Sequence, residues 1–143
     1  MKRRHKRGSM LIETIISLSI LLLAGTLSVN LVKSLQNSFN IREERERANR
    51  AAYAIESEMK YNYKVEEIVN EFKNKGSLKY EFSKENFKKL LREPLFNLEG
   101  GEGIEIELNS TNEDKTILLI KITIKNNKGD ILSEREFTKT NWI

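Results

Sequence analysis

The stretch RGSMLIETIISLSILLLAG, residues 7–25, decides how the rest of the chain can be arranged. It opens a run without a single charged residue from Thr14 to Val32, 19 residues in all. As a helix rising about 1.5 Å per residue, that run spans roughly 28 Å, close to the roughly 30 Å hydrocarbon core of a bilayer. Six basic or potentially basic side chains, Lys2 to Arg7, stand in front of it. By the positive-inside rule they hold the N-terminus in the cytoplasm and send the bulk of the chain across. One carboxylate, Glu13, breaks the pattern at the leading end of the apolar run. On an isolated helix an acid at that depth costs a few kcal/mol, so its position asks for a partner.

Composition narrows what the remainder can do. The chain of 143 residues has room for one ordinary domain beside a membrane segment. It has no cysteine, which excludes disulfides, thiolate metal sites and a thiol nucleophile. The lone histidine, His5, belongs to the basic leader and is not placed for catalysis. The net charge of +4 is unevenly distributed: residues 1–8 hold five Lys or Arg and no acid, leaving 20 basic against 21 acidic residues beyond them. The basic balance therefore describes the leader, and no direct nucleic-acid binding is expected of the rest. Its aromatic residues are too few and scattered for a base-stacking platform.

An ordinary secretory signal has an apolar region of about 7 to 15 residues and then a small-x-small cleavage site. Here the apolar run is longer and continues in a helical pattern without a convincing site of that kind. Leu23-Ala24-Gly25-Thr26 looks like the start of a lipoprotein signal, but Thr26 stands where the lipidated cysteine is required. The basic leader, Gly8 and then Ser9-Met10-Leu11-Ile12-Glu13 instead resemble the class III signal of type IV pilins and pseudopilins. The resemblance covers about 25 residues and rests on the combination of its elements.

That resemblance implies a cut between Gly8 and Ser9 by a prepilin peptidase on the cytoplasmic side, and N-methylation of Ser9. Met10, Leu11 and Ile12 fall within the signal motif, and Glu13 becomes the fifth residue after the cut, where the family keeps its acid. In a bundle of parallel helices Glu13 can pair with the free α-amine of a neighbour, and the first turn of its own helix also favours negative charge. Glu13 thus reads as an assembly signal. The implied function is a structural subunit, a minor pilin or pseudopilin, of a type IV pilus, type II secretion or competence DNA-uptake filament. Its implied partners are other pilin-like subunits, the prepilin peptidase, a membrane assembly platform and the lipid bilayer. No cofactor, metal or enzymatic activity is implied. Three departures point to a minor component: no cysteine pair near the C-terminus, Asn30 where many major pilins carry proline, and Ser9 in place of the commoner Phe or Met. The alternative is a single-pass membrane protein whose extracytoplasmic binding domain never polymerises.

Beyond the apolar run nothing obliges the helix to stop, since residues 26–75 contain neither Gly nor Pro. Apolar positions recur at helical spacing: Leu31, Leu35 and Phe39, then Ala48, Ala52, Ile55 and Met59, then Val65, Ile68 and Phe72. The charged run Arg42 to Arg47 sums to zero and pairs Glu43 with Arg47 and Arg42 with Glu46 at i,i+4, as a solvated helix does. Lys73 and Lys75 before Gly76 mark a helix C-terminus. Lys60-Tyr61-Asn62-Tyr63 is compatible with an unbroken helix or with a break. After Gly76 the period changes to two. Leu78, Tyr80 and Phe82 alternate as a short strand, and Ser83 caps a helix to about Arg92 with Phe87, Leu90 and Leu91 inward, ended by Pro94. Glu99 to Gly103 reads as a flexible loop. Ile104, Ile106 and Leu108 form one strand, and Leu118, Ile120, Ile122 and Ile124 line a longer one. After the turn Asn126 to Asp130, Ile131 to Phe137 returns.

The fold class is α+β: a long N-terminal helix, with a transmembrane half and a soluble amphipathic half, packed on a small C-terminal antiparallel sheet. The organisation is a cytoplasmic leader over 1–8, a transmembrane helix over 9–33, the soluble half of the long helix over 34–75, and an extracytoplasmic pilin-like domain over 76–143. The chain sits in the cytoplasmic membrane with its C-terminal domain outside.

No active site assembles from these residues. Glu105 and Glu107 share a strand face, as the wet face of an amphipathic strand ordinarily does. Glu99, Glu102, Glu113 and Asp114 lack the ligand spacing of a calcium loop. Gly100, Gly101 and Gly103 open no helix and so lack phosphate-loop geometry. Trp142 fits a core anchor better than an exposed contact. The resemblance to the class III signal implies a peptidase cleft that admits only glycine before the cut, so Gly8→Val is expected to leave the full-length precursor in the membrane; a gel shift against wild type checks this, and normal maturation overturns the class III reading.

Overall fold

The structure, a computed structural model, describes residues 5–111 and 117–140, without the side chains of 5–9, 110 and 111. Helix α1 runs His5–Tyr61, α2 Val65–Lys75 and α3 Lys84–Leu90, followed by a 3-10 turn at Leu95–Asn97. Strands β1 Leu78–Glu81, β2 Gly103–Thr111, β3 Ile117–Lys125 and β4 Ile131–Thr140 form one antiparallel sheet in the order β1-β2-β3-β4. The chain divides at Arg42 and Glu43 into two compact units. The long helix packed on a four-stranded antiparallel sheet is the architecture that the alternating patterns call for.

In the second unit, from Glu43 onward, the core lies between the helices and one face of the sheet. Leu118, Ile120, Ile122 and Ile124 are wholly buried along β3. The register sets Ile122 opposite Ile106 and Ile124 opposite Ile104, while β1 adds Leu78 opposite Ile106 and Tyr80 opposite Ile104. Against this face α1 presents Ala48, Ala51, Ala52, Ile55 and Met59, all buried. The three alanines leave no long side chain between backbone and sheet, so this part of α1 can sit close, as a well-packed core requires. Helix α2 contributes Val65, Ile68, Val69 and Phe72.

The break that the sequence left open is real: α1 ends at Tyr61 and α2 starts at Val65, so the 34–75 segment is not one helix. The last turn of a helix has orphan carbonyls, and Lys139 at the end of β4 donates its Nζ to Lys60 O. Tyr63 then turns inward, its ring centroid 4.4 Å from that of Phe96. Helix α2 restarts with the Glu67 carboxylate accepting from the Lys64 N–H at 2.9 Å. It closes where expected, at Gly76, which has φ 72° and donates its N–H to Phe72 O.

Two local expectations are corrected. Ser83 does cap α3, its Oγ accepting from Asn86 N at 3.1 Å. The helix stops at Leu90, however, and Leu91 is 64% exposed while Asn86 is buried. The Asn86 amide donates to Glu81 O and Glu99 O, joining the end of β1 to the segment before β2. Facing Asn86 inward turns Leu91 outward, one residue beyond Leu90. Second, Glu99 to Gly103 is no loose loop. Gly100 bridges to Tyr80, Gly103 begins β2, and a Cβ at Gly101 or Gly103 would meet the Cβ of Glu81 or Phe82 at 2.8 or 2.7 Å. Glycine is needed there because the strand passes too close for a side chain. The turn into β4 forms as expected, with Asn126 Oδ1 accepting from the N–H groups of Lys128 and Asp130 at 2.9 Å each.

Polar contacts also join α1 to β4. Ser133 donates its hydroxyl to Asn49 Oδ1 at 2.7 Å, and Glu56 accepts from Arg135 at 2.7 Å and Lys60 at 2.8 Å. Burial alone would raise the Glu56 carboxyl, but the hydrogen bonds from Lys60 and Arg135 and their charges outweigh it and hold it below its ordinary 4.5. A depressed carboxyl stabilises the fold above that ordinary value and loses its contribution as pH falls through the folded-state pKa. Glu56→Gln therefore lowers the stability of the folded chain by about 2 kcal/mol near neutrality. The gap closes below the carboxylate range, and unfolding curves from pH 3 to 8 check this; a gap independent of pH would remove Glu56 as its source. The unit boundary gives a second expectation. A fragment of residues 43–143 is soluble and folded, whereas one of residues 77–143 aggregates because its sheet has lost α1 and α2; gel filtration and circular dichroism decide it.

Candidate functional site: the unpartnered acid of the apolar helix

In the first unit α1 carries the sequence-predicted residues on a continuous helix. From Met10 it is long and apolar enough to cross a membrane. Met10, Leu11 and Ile12 are 62–70% exposed, and the large apolar residues on every side of the span, from Ile15 through Val32, are 53–69% exposed. A helix apolar all round is built for an apolar surround, here lipid or other helices. Its hydroxyls do not contradict this. Thr14 Oγ1 donates to Met10 O and Leu11 O, and Ser19, Thr26 and Ser28 donate to Ile15 O, Leu23 O and Ala24 O at 2.8–2.9 Å. Each such bond returns the hydroxyl to its own helix, so it needs nothing from outside.

Glu13 is the exception. It lines one helix face with Met10, Thr14, Ser17, Leu18 and Leu21, and among the described residues no hydrogen bond or ion pair reaches it. No carbonyl can satisfy a carboxylate, and its nearest neighbours are an apolar stripe and two hydroxyls. What the arrangement can do is accept a cationic donor from outside the chain. Helix α1 starts at His5, so in the full chain Glu13 lies beyond the first turn, where the sequence reading places it. Gly8 and Ser9 lie within α1, about a turn before Glu13, and the Ser9 side chain is outside the described residues.

The other groups weighed from sequence are dispersed or occupied. Glu105 is held between Lys79 Nζ at 3.1 Å and Lys125 Nζ at 3.2 Å. Those hydrogen bonds, Lys79's first, outweigh partial burial and keep its carboxyl low. Glu107 lies opposite Lys121, so the two acids are structural charges of the outer face. Glu99 is tied to Lys89, and among the described residues no three His, Asp or Glu gather as metal ligands. Glu113, Asp114 and Trp142 lie outside the described residues. The helix pair expected between Glu43 and Arg47 forms at 2.6 Å. Sequence reasoning missed Asn49, Glu56, Ser133, Arg135 and Lys139, which meet only because α1 lies along β4, 79 to 84 residues away in the chain. Their residue types carry no local signal of it. No family model matches the chain, and no curated protein or solved structure matches it either.

Proposed function

We propose that this chain is a structural subunit of a membrane-anchored filament: a minor pilin or pseudopilin of a type IV pilus, type II secretion or competence system. It is inserted with its N-terminus in the cytoplasm, cut after Gly8, methylated on the Ser9 amine and assembled with other pilin-like subunits by a membrane platform. The observation that carries the reading is Glu13, an acid without a partner among the described residues on a helix long and apolar enough to cross a membrane, five residues beyond a glycine that follows a basic leader. Such an acid is costly alone and compensated by the α-amine of a neighbouring helix, so its cost falls only on assembly. The α+β unit supports the reading in a coarser way, as a folded body carried by the helix.

Mass spectrometry of the membrane-extracted protein tests processing: a chain beginning at Ser9, with one added methyl group, agrees with the proposal. An uncut chain favours the single-pass protein that never polymerises. Glu13→Ala tests assembly. The change makes the segment more apolar and leaves Gly8 and the leader intact, so insertion and cutting proceed. Crosslinking to other pilin-like subunits and function of the apparatus fall at least tenfold, because a cationic amine is left unpaired in hydrocarbon. Wild-type crosslinking by Glu13→Ala, with mature protein present, shows that the acid is no assembly signal.

A further inference from the structure

The two edges of the sheet are treated differently. Beyond β1 the chain covers the edge itself: Gly100 bridges to Tyr80, and Glu81 donates its N–H to Glu99 O at 3.2 Å. Beyond β4, the ten-residue strand Ile131–Thr140, no described segment pairs. The strand has no proline, and its one register irregularity lies at its start, beside Lys125. A long regular edge of this kind is a template for another strand.

The outer face of the sheet says what chemistry would fit there. Across the middle of this face charges alternate in sign from strand to strand, Lys79 on β1, Glu105 and Glu107 on β2, Lys121 and Lys125 on β3, Glu134 and Glu136 on β4; Glu81, opposite Gly103 at the end of β1, stands outside the series. Successive strands are joined by these charges, Lys79 and Lys125 on Glu105, and Lys121 on Glu134 at 3.2 Å. Among the described residues Glu136 accepts the neutral amide of Asn109, at 3.0 Å, and no cation. The series ends on two carboxylates, and its next member is positive.

A second copy of β4 does not supply that member. From Glu134 to Thr140 the outer-face side chains of β4 are Glu134, Glu136, Thr138 and Thr140, with no cation among them. Centring antiparallel self-pairing on Glu134, Arg135 or Glu136 moreover sets a carboxylate opposite a carboxylate, and centring on Phe137 sets Arg135 opposite Lys139. Like charges directly opposite are destabilising. We infer that the β4 edge is a docking site for a fifth strand from a different polypeptide, an extended segment with Lys or Arg at alternate positions facing Glu134 and Glu136. Backbone hydrogen bonds supply the attachment, and the two carboxylates select a basic strand. The inference does not depend on the role of Glu13.

The test uses the full chain in a zwitterionic detergent and a fluorescein-labelled peptide of alternating lysine and valine. A peptide of the same composition with its lysines and valines in separate blocks is the control. The alternating peptide binds at least tenfold tighter than the block peptide, and hydrogen exchange slows across residues 131–140 but not across 78–81. Replacing Glu134→Lys with Glu136→Lys lowers that binding at least tenfold and transfers preference to an alternating glutamate–valine peptide. Equal binding of the block peptide means that charge alone attracts, and unchanged exchange over 131–140 means that the strand is not the site. Either result overturns the inference, and the exchange result on the wild-type chain decides it even if the double variant does not fold.

Discussion

The isoleucine-rich face of the sheet must be kept from water, and the second unit is built around that need. Leu118, Ile120, Ile122 and Ile124 lose all exposure, and only helices placed across them can achieve this. The alanines of α1 and the larger side chains of α2 divide the task. Helix α1 contributes Ala48, Ala51 and Ala52 with Ile55 and Met59, and α2 contributes Val65, Ile68, Val69 and Phe72. Asn62 to Lys64 join the two helices, and the buried residues of both belong to one core with the sheet.

Polar groups then fix where α1 lies along β4. Apolar contact is nondirectional and tolerates sliding. Asn49 on Ser133, Glu56 on Arg135 and the Lys60 carbonyl on Lys139 define one register. Lys139 is the costliest of these, since burial pushes its ammonium down from the ordinary lysine value. A buried ammonium held on a carbonyl at a helix end is favoured by the helix dipole as well. The same strand therefore has two distinct sides. Its inner face is engaged with α1, its outer face carries Glu134 and Glu136, and along its edge no described segment pairs.

In the first unit the logic is inverted. There the large apolar residues are exposed all round, and the hydroxyls of Thr14, Ser19, Thr26 and Ser28 donate to carbonyls of their own helix. Glu13 is the one acid of this span, and among the described residues no cation meets its carboxylate. Under the filament proposal the surround that satisfies the apolar surface, other helices in a bilayer, also brings the cation that satisfies the acid. The two needs have a single remedy.

Much of this was legible along the chain because it depends on local periodicity. The charge-free run, the period-two alternation of β2 and β3, the Gly76 stop, the Ser83 cap and the Asn126 turn each rest on neighbours within a few residues. The unmatched Glu13 and its spacing from Gly8 could also be read there, since a helix fixes what lies within a turn. What only the tertiary structure decided involves partners far apart in sequence. The end of α1 at Tyr61 depends on Lys139, the inward turn of Asn86 on the carbonyls of Glu81 and Glu99, and the glycines at 101 and 103 on the approach of Glu81 and Phe82. Propensity acts over one or two turns, but a hydrogen bond or a steric clash acts on whatever the fold brings near. The sequence by itself therefore determined which elements form, and tertiary contact determined where they stop and which edge stays open.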